Sequence, residues 1–129
     1  MDARGVAVVQ RVENAAVAAA ILLAVVALGW PWWVLLAAFL VFDLSALGYA
    51  AGPRPGAFWY NAVHNYAAPA AIALAWTVAR LAGADLWWLG LLAACWAFHV
   101  AADRALGYGL KLAEFTQTHL GPIGRARAK

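Results

Sequence analysis

The sequence holds a single cysteine, Cys95, and only 12% of its residues are charged. One thiol excludes an internal disulfide and any paired-cysteine redox or zinc motif. The shortage of charge lies far from soluble usage, where charged residues approach ~25%. The basic residues flank apolar segments and form no face of their own, which argues against nucleic acid as a partner. What is abundant is apolar: 67% of the chain is hydrophobic. A chain of 129 residues suffices for one domain but cannot hide this much apolar surface from water, so its solvent is the lipid bilayer. The first apolar run is longer than a signal-peptide core and carries Arg11, Glu13 and Asn14, so it reads as a mature helix.

A bilayer core needs ~20 mostly apolar residues per helix. Four runs qualify, at about 8–29, 31–50, 57–82 and 86–106, followed by a juxtamembrane tail over 107–129. Trp30-Pro31 is a tight turn, Pro53 and Pro55 punctuate the second connection, and Asp85 is a candidate N-cap for the fourth helix. Pro69 predicts a kink in the third. The expected fold is all-α: one integral-membrane four-helix bundle over 1–129. Arg4, Arg11, Arg54, Arg104, Lys111, Arg125, Arg127 and Lys129 fall on the side of the termini, and only Arg80 on the other. The positive-inside rule then puts both termini and the second-to-third loop of this multi-pass protein in the cytoplasm. Trp30, Trp32, Trp33, Trp76, Trp87 and Trp88 gather at the far interface, and Trp59 marks the near one.

Ionisable residues inside a membrane span are costly, and each is a functional candidate by default. Here Asp43, His64 and His99 each sit about seven residues from the cytoplasmic edge, a common depth of ~10 Å at helical rise. His99 and Asp103 are i, i+4 and share a face, as do Asn61 and His64 at i, i+3. The far half carries almost no polar side chain. The expectation is a dry half and a polar pocket open to the cytoplasm, with Asp43, His64, His99 and Asp103 as metal ligands. Glu13 and His119 are acid/base candidates. Asn14, Ser45, Tyr49, Asn61, Asn65, Arg104, Tyr108 and Thr118 are expected to line the pocket. Simpler roles compete for each: histidines bonded across helices, an Asp103 ion pair with Arg104 or Arg11, a Glu13 pair with Arg11, tyrosines as interfacial anchors, and Cys95 as a core residue.

Two short segments look alike. Asp43-Leu-Ser-Ala-Leu-Gly-Tyr49 resembles Asp103-Arg-Ala-Leu-Gly-Tyr108, and Val12-Glu13-Asn14 resembles Val63-His64-Asn65. A duplication would make the halves parallel helix-hairpin repeats. Chance similarity in an Ala- and Leu-rich chain is the rival.

Across nearly its whole length the sequence resembles domain-of-unknown-function family 4260, small bacterial four-helix membrane proteins. The resemblance rests on Arg11-Val-Glu13-Asn14, Asp43-Leu-Ser45, Gly48-Tyr49, Gly52-Pro53, Tyr60-Asn61 with His64, His99 with Asp103-Arg104, Gly107-Tyr108-Gly109-Leu110-Lys111, and Phe115 with Thr118-His119-Leu120-Gly121. Leu112-Ala113-Glu114 departs from the pattern. The resemblance implies the membrane fold and no activity.

Three functions of different classes remain. Two imidazoles and two carboxylates suit zinc or non-haem iron, which would make a hydrolase-like membrane enzyme acting on a lipid or amphipathic substrate. Buried acids and histidines also build ion or proton sites in binding and transport proteins, for which a homodimer is allowed by the small-residue helix faces. His64 and His99 at equal depth are also the pattern of a haem b protein.

Overall fold

The computed structural model describes residues 1–123. Arg125, Arg127 and Lys129, part of the orientation argument, lie outside the described residues.

The first helix, α1 (Ala3–Ala27), starts five residues before the expected boundary because Asp2 caps it, its carboxylate accepting from the Gly5 N–H at 2.8 Å. Gly29, at φ +70, turns the chain out of it. The second span is not one α-helix. A single turn, α2 (Val34–Ala37), passes into a 3₁₀ helix over Phe39–Ala51. Runs of this length are uncommon, since 3₁₀ stretches rarely exceed 3–4 residues. In a 3₁₀ helix residues three apart eclipse, so side chains fall into rows. Val41, Leu44, Leu47 and Ala50 form the exposed row, while Phe42, Ser45 and Gly48 form a row that is partly buried. The ~2.0 Å rise per residue also stretches this segment beyond the α-helical depth assumed from the sequence.

Gly52 breaks the 3₁₀ run at φ +116, and α3 (Pro53–Val63) begins with prolines in its first turn. This helix packs along the 3₁₀ segment so closely that a Cβ on Gly56 would lie 2.3 Å from the Tyr49 ring. The expected third span is then interrupted. The chain bends at residues 64–66 and resumes as α4 (Ala67–Leu81). Pro69 explains the break: it has no N–H to offer the Asn65 carbonyl, and its ring would clash there in a continuous helix. It is tolerated in the first turn of a new one, and Asn65 serves that turn by accepting from the Ala67 N–H at 2.8 Å.

The last helix, α5 (Trp87–Leu106), has no side-chain cap, so Asp85 does not play that part. It is the centre of the molecule, with α1 and α4 packed along it, and it buries Gly90, Leu91, Ala93, Cys95, His99, Val100, Ala101 and Asp103. Gly107 closes it in a Schellman motif, φ +99, with the Tyr108 N–H donating to the Asp103 carbonyl at 2.8 Å. The tail folds back as a small antiparallel ribbon, β1 (Gln117–Thr118) with β2 (Gly121–Pro122), and Lys111 bridges to Thr118.

At one end the core is dry: Val25, Leu35, Leu91 and Cys95 pack with Trp30, Phe42 and Phe98. Trp30 meets Trp76 edge-on at 5.4 Å. Outside, Leu23, Leu36, Leu40, Leu47, Leu74 and Leu81 are exposed. Three segments, Ala3–Ala27, Val34–Ala51 and Trp87–Leu106, are long and apolar enough to cross a membrane. Together with the apolar exterior they identify a helical membrane protein. The two segments of the suspected repeat differ in backbone, Asp43–Tyr49 being 3₁₀ and Asp103–Tyr108 α-helical with a left-handed glycine end.

Candidate metal centre

Three elements deliver four side chains to one point. Asp43 comes from the 3₁₀ helix, His64 from the bend after α3, and His99 and Asp103 from successive turns of α5. One donor atom from each lies within 4.8 Å of all the others. His64 Nε2 is 3.4 Å from Asp43 Oδ1 and 3.5 Å from Asp103 Oδ2. His99 Nε2 is 3.6 Å from each of the same oxygens. The two Nε2 atoms are 2.9 Å apart.

A tetrahedral zinc with bonds of ~2.0–2.2 Å to nitrogen and oxygen separates its ligands by about 3.3–3.6 Å. The four nitrogen–oxygen distances match that figure. The nitrogen–nitrogen edge would open by ~0.5 Å.

One imidazole is held by a backbone bond, while the other, His99, leaves its Nδ1 buried and unpartnered among the described residues. His64 Nδ1 lies 2.9 Å from the Tyr60 carbonyl, which only accepts, so Nδ1 carries the proton and Nε2 presents its lone pair. Ligating histidines commonly use such a backbone bond to fix their tautomer. The Tyr60 ring stacks on His64 at 3.6 Å and 8°, and its hydroxyl donates to Asp103 Oδ2 at 3.2 Å. Ser45 Oγ, which donates to the Phe42 carbonyl, also lies 3.4 Å from His64 Nδ1. His99 is fully buried between Phe39 and Phe42, at ring distances of 4.4 and 5.3 Å. His64 is 2% exposed, whereas the Asp43 side chain is 40% accessible, so the centre opens on the Asp43 side.

The same distances do not fit a haem held between His64 and His99. Axial nitrogens on opposite faces of one iron stand roughly 4 Å apart, twice a ~2.0 Å metal–nitrogen bond. Here they are 2.9 Å apart, with two carboxylate oxygens beside them where the macrocycle would lie.

The other candidates separate into three groups. Asn61 holds the tail in place: its Nδ2 donates to the Lys111 carbonyl at 2.8 Å, and its Oδ1 accepts the Lys111 N–H at 2.7 Å. Thr118 is buried in the ribbon, donating to the Gly121 carbonyl, and Asn65 caps α4. Tyr49 packs edge-on against Phe115 with its hydroxyl buried and unpartnered among the described residues, and Tyr108 is exposed. Glu13 and His119, the acid/base candidates, stand apart from the four donors. They line a separate cleft with Asn14, Tyr66 and Arg104. Nor does Asp103 pair with a neighbouring arginine: Arg11 Nε donates to the Ala105 carbonyl at 2.8 Å, and an Arg104 nitrogen lies 3.4 Å from the His64 carbonyl. Cys95 is a core residue.

Two polar contributors were not among the sequence candidates. Tyr60 is one, signalled by its i, i+4 spacing to His64. Lys111 is the other. It is 3% exposed, with its ammonium 4.1 Å from the Phe115 ring centre and 4.8 Å from that of Tyr60. Burial pulls it below the usual lysine range, opposed by the charges of Asp103 and Asp43. Only the tail's fold reveals its place, because nothing in the spacing after Gly109 fixes that path.

Residues 7–123 match the family model described as a domain of unknown function, DUF4260. Neither the curated proteins nor the solved structures contain a match to this chain. The chain belongs to the DUF4260 family.

Proposed function

We propose that this is a metal-dependent membrane protein whose His64, His99, Asp43 and Asp103 hold one divalent ion, zinc fitting the donor set best, for hydrolysis of an amphipathic substrate. The reading is carried by one observation: four nitrogen–oxygen distances of 3.4–3.6 Å among buried or half-buried donors from three elements. An ion so placed would supply Lewis acidity, and with Asp43 the one donor 40% accessible, a water could reach it there as a further ligand and be acidified. The protein's own groups would do the rest. The rings of Phe39 and Phe42 keep water from His99. Tyr60 orients Asp103 and His64. Lys111, caged by aromatic faces near the carboxylates, offers a positive charge to an anionic part of the substrate. An apolar groove of about 490 Å³, lined by Val41, Phe42, Leu44, Ser45, Trp59 and Trp96, reaches the residues that touch both histidines. It suits a hydrocarbon chain arriving from the bilayer. All four donors belong to one chain, so the centre is complete without a second copy. With the basic residues cytoplasmic, the site would open on the cytoplasmic leaflet of the inner membrane.

The test is elemental analysis of protein purified in detergent without chelator, beside a His64→Ala, His99→Ala double variant. One equivalent of zinc or iron in the wild type and none in the variant is the expected result. No metal in either, after dialysis against zinc, would move the reading to proton-linked binding or transport.

A further inference from the structure

The cleft that takes Glu13 and His119 has a volume of about 380 Å³, within the ~300–1,000 Å³ of small-molecule sites. Its chemistry is unusual for a membrane protein. It contains an acid and a guanidinium, yet among the described residues Glu13 and Arg104 make no salt bridge with each other or with any other group. Arg104 instead lies over the Tyr66 ring at 4.7 Å, with its Nε buried and unpartnered among the described residues. His119 packs on Gly109, where a Cβ would come within 2.6 Å of the imidazole. Its Nδ1 accepts the Leu110 N–H at 2.8 Å, which leaves Nε2–H as a free donor. Tyr66 is committed elsewhere, since its hydroxyl donates to Asn14 Oδ1.

Tyr66 also lines a second cavity. From it an apolar furrow of about 290 Å³ runs between α1 and α4 over the surface of α5, lined by residues that include Ala24, Pro69, Ala73, Trp76, Gly90 and Ala94. Cleft and furrow therefore adjoin at Tyr66, the cleft polar on one side of its ring and the furrow apolar on the other. None of the four metal-centre donors lines either of them.

We infer that cleft and furrow together bind one phospholipid whose head group carries both a phosphate and an ammonium, such as an ethanolamine lipid. The phosphate meets Arg104 and the His119 Nε2–H, the ammonium meets Glu13, and an acyl chain lies along the alanine-lined furrow. Charge complementarity fixes the occupant: a purely anionic head would leave Glu13 facing negative charge, and a free anion would leave the furrow unused. The site shares no donor with the cluster of Asp43, His64, His99 and Asp103, although an Arg104 nitrogen also lies 3.4 Å from the His64 carbonyl.

The full chain, reconstituted in nanodiscs with equal phosphatidylethanolamine and phosphatidylglycerol, is released and its retained lipid counted by native mass spectrometry. Wild type should retain the ethanolamine lipid in preference. Glu13→Gln, an exposed change that leaves the fold intact, should keep a bound lipid and lose roughly threefold of that preference, the worth of one exposed ion pair. Arg104→Gln should lose both lipids, and Ala73→Leu should block the furrow. Should Arg104→Gln fail to fold, Glu13→Gln and Ala73→Leu carry the test. Equal retention of both lipids by the wild type, or an unchanged preference in Glu13→Gln, overturns the inference. So does binding of inorganic phosphate with no lipid retained, which would make the cleft a free-anion site.

Discussion

The two ends of the helical core are held by different physics. At the dry end Val25, Leu35, Leu91 and Cys95 are packed by shape alone, and edge-on tryptophans close the gaps. At the polar end His64, His99 and Asp103 are as deeply buried as that core, but named bonds place two of them, Tyr60 to Asp103 and the Tyr60 carbonyl to His64, while His99 meets His64 Nε2 and leaves its Nδ1 unpartnered among the described residues. Packing tolerates exchange of one apolar side chain for another of like volume. A cluster of buried polar groups does not, because each unpaired member carries the full desolvation penalty. The difference teaches that burial at the polar end is held by specific partners and at the dry end by volume, which is why the polar end is the candidate site.

The largest break in that comparison is His99→Ala. Removing one of four donors should weaken zinc binding by ~100-fold or more, read by competition with a chelating dye, with helical circular dichroism unchanged. The next is Leu35→Ala at the dry end, which should cost about 2–5 kcal/mol of stability by leaving a cavity. Its zinc affinity should stay within experimental error of wild type, as thermal unfolding and dye competition would show. If Leu35→Ala lost the metal as completely as His99→Ala, the two ends would not be separate.

A finer probe is Tyr60→Phe. It keeps the ring stacked on His64 and deletes only the hydroxyl that donates to Asp103. Loss of a supporting bond of this kind should weaken the metal ~10-fold, an effect titration calorimetry resolves. The smallest effect concerns the tail. Burial, and then the charge of Arg104, lower the affinity of His119 for protons. The folded tail therefore binds a proton less readily than the unfolded one, and its docking weakens as pH falls below the ordinary histidine value of ~6.5. Amide exchange at Leu110, whose N–H the imidazole accepts, should quicken between about pH 7 and 5, and His119→Phe should abolish that dependence.

Much of the polar end was legible in the sequence, because a charge in a membrane span is costly enough to stand out. Asp43, His64 and His99 stand out by shared depth and Asp103 by its i, i+4 spacing to His99, and the structure brings their donor atoms together. What the sequence hid were backbone changes. The break at residues 64–66 follows from Pro69 and Asn65, yet a proline in an apolar run predicts a kink as readily as a break. The 3₁₀ stretch shows in the sequence as the three-residue period of Val41, Leu44 and Leu47, which a reading at 3.6 residues per turn passes over. Phe39 and Phe42 were missed for the same reason, since they flank His99 only when residues three apart eclipse. The candidacy of Glu13 follows from its place near the cytoplasmic end of the first helix and that of His119 from docking of the tail through Phe115 and Leu120, and neither fixes which side of α5 a residue faces.

The most direct measurement is zinc-edge X-ray absorption on the protein loaded with one equivalent of zinc. The expected result is four or five nitrogen or oxygen neighbours at ~2.0–2.2 Å, with the outer-shell scattering of two imidazoles, reduced in His64→Ala. A sulfur neighbour at ~2.3 Å, which Cys95 alone could supply, or a shell without imidazole scattering, would contradict a centre built from Asp43, His64, His99 and Asp103.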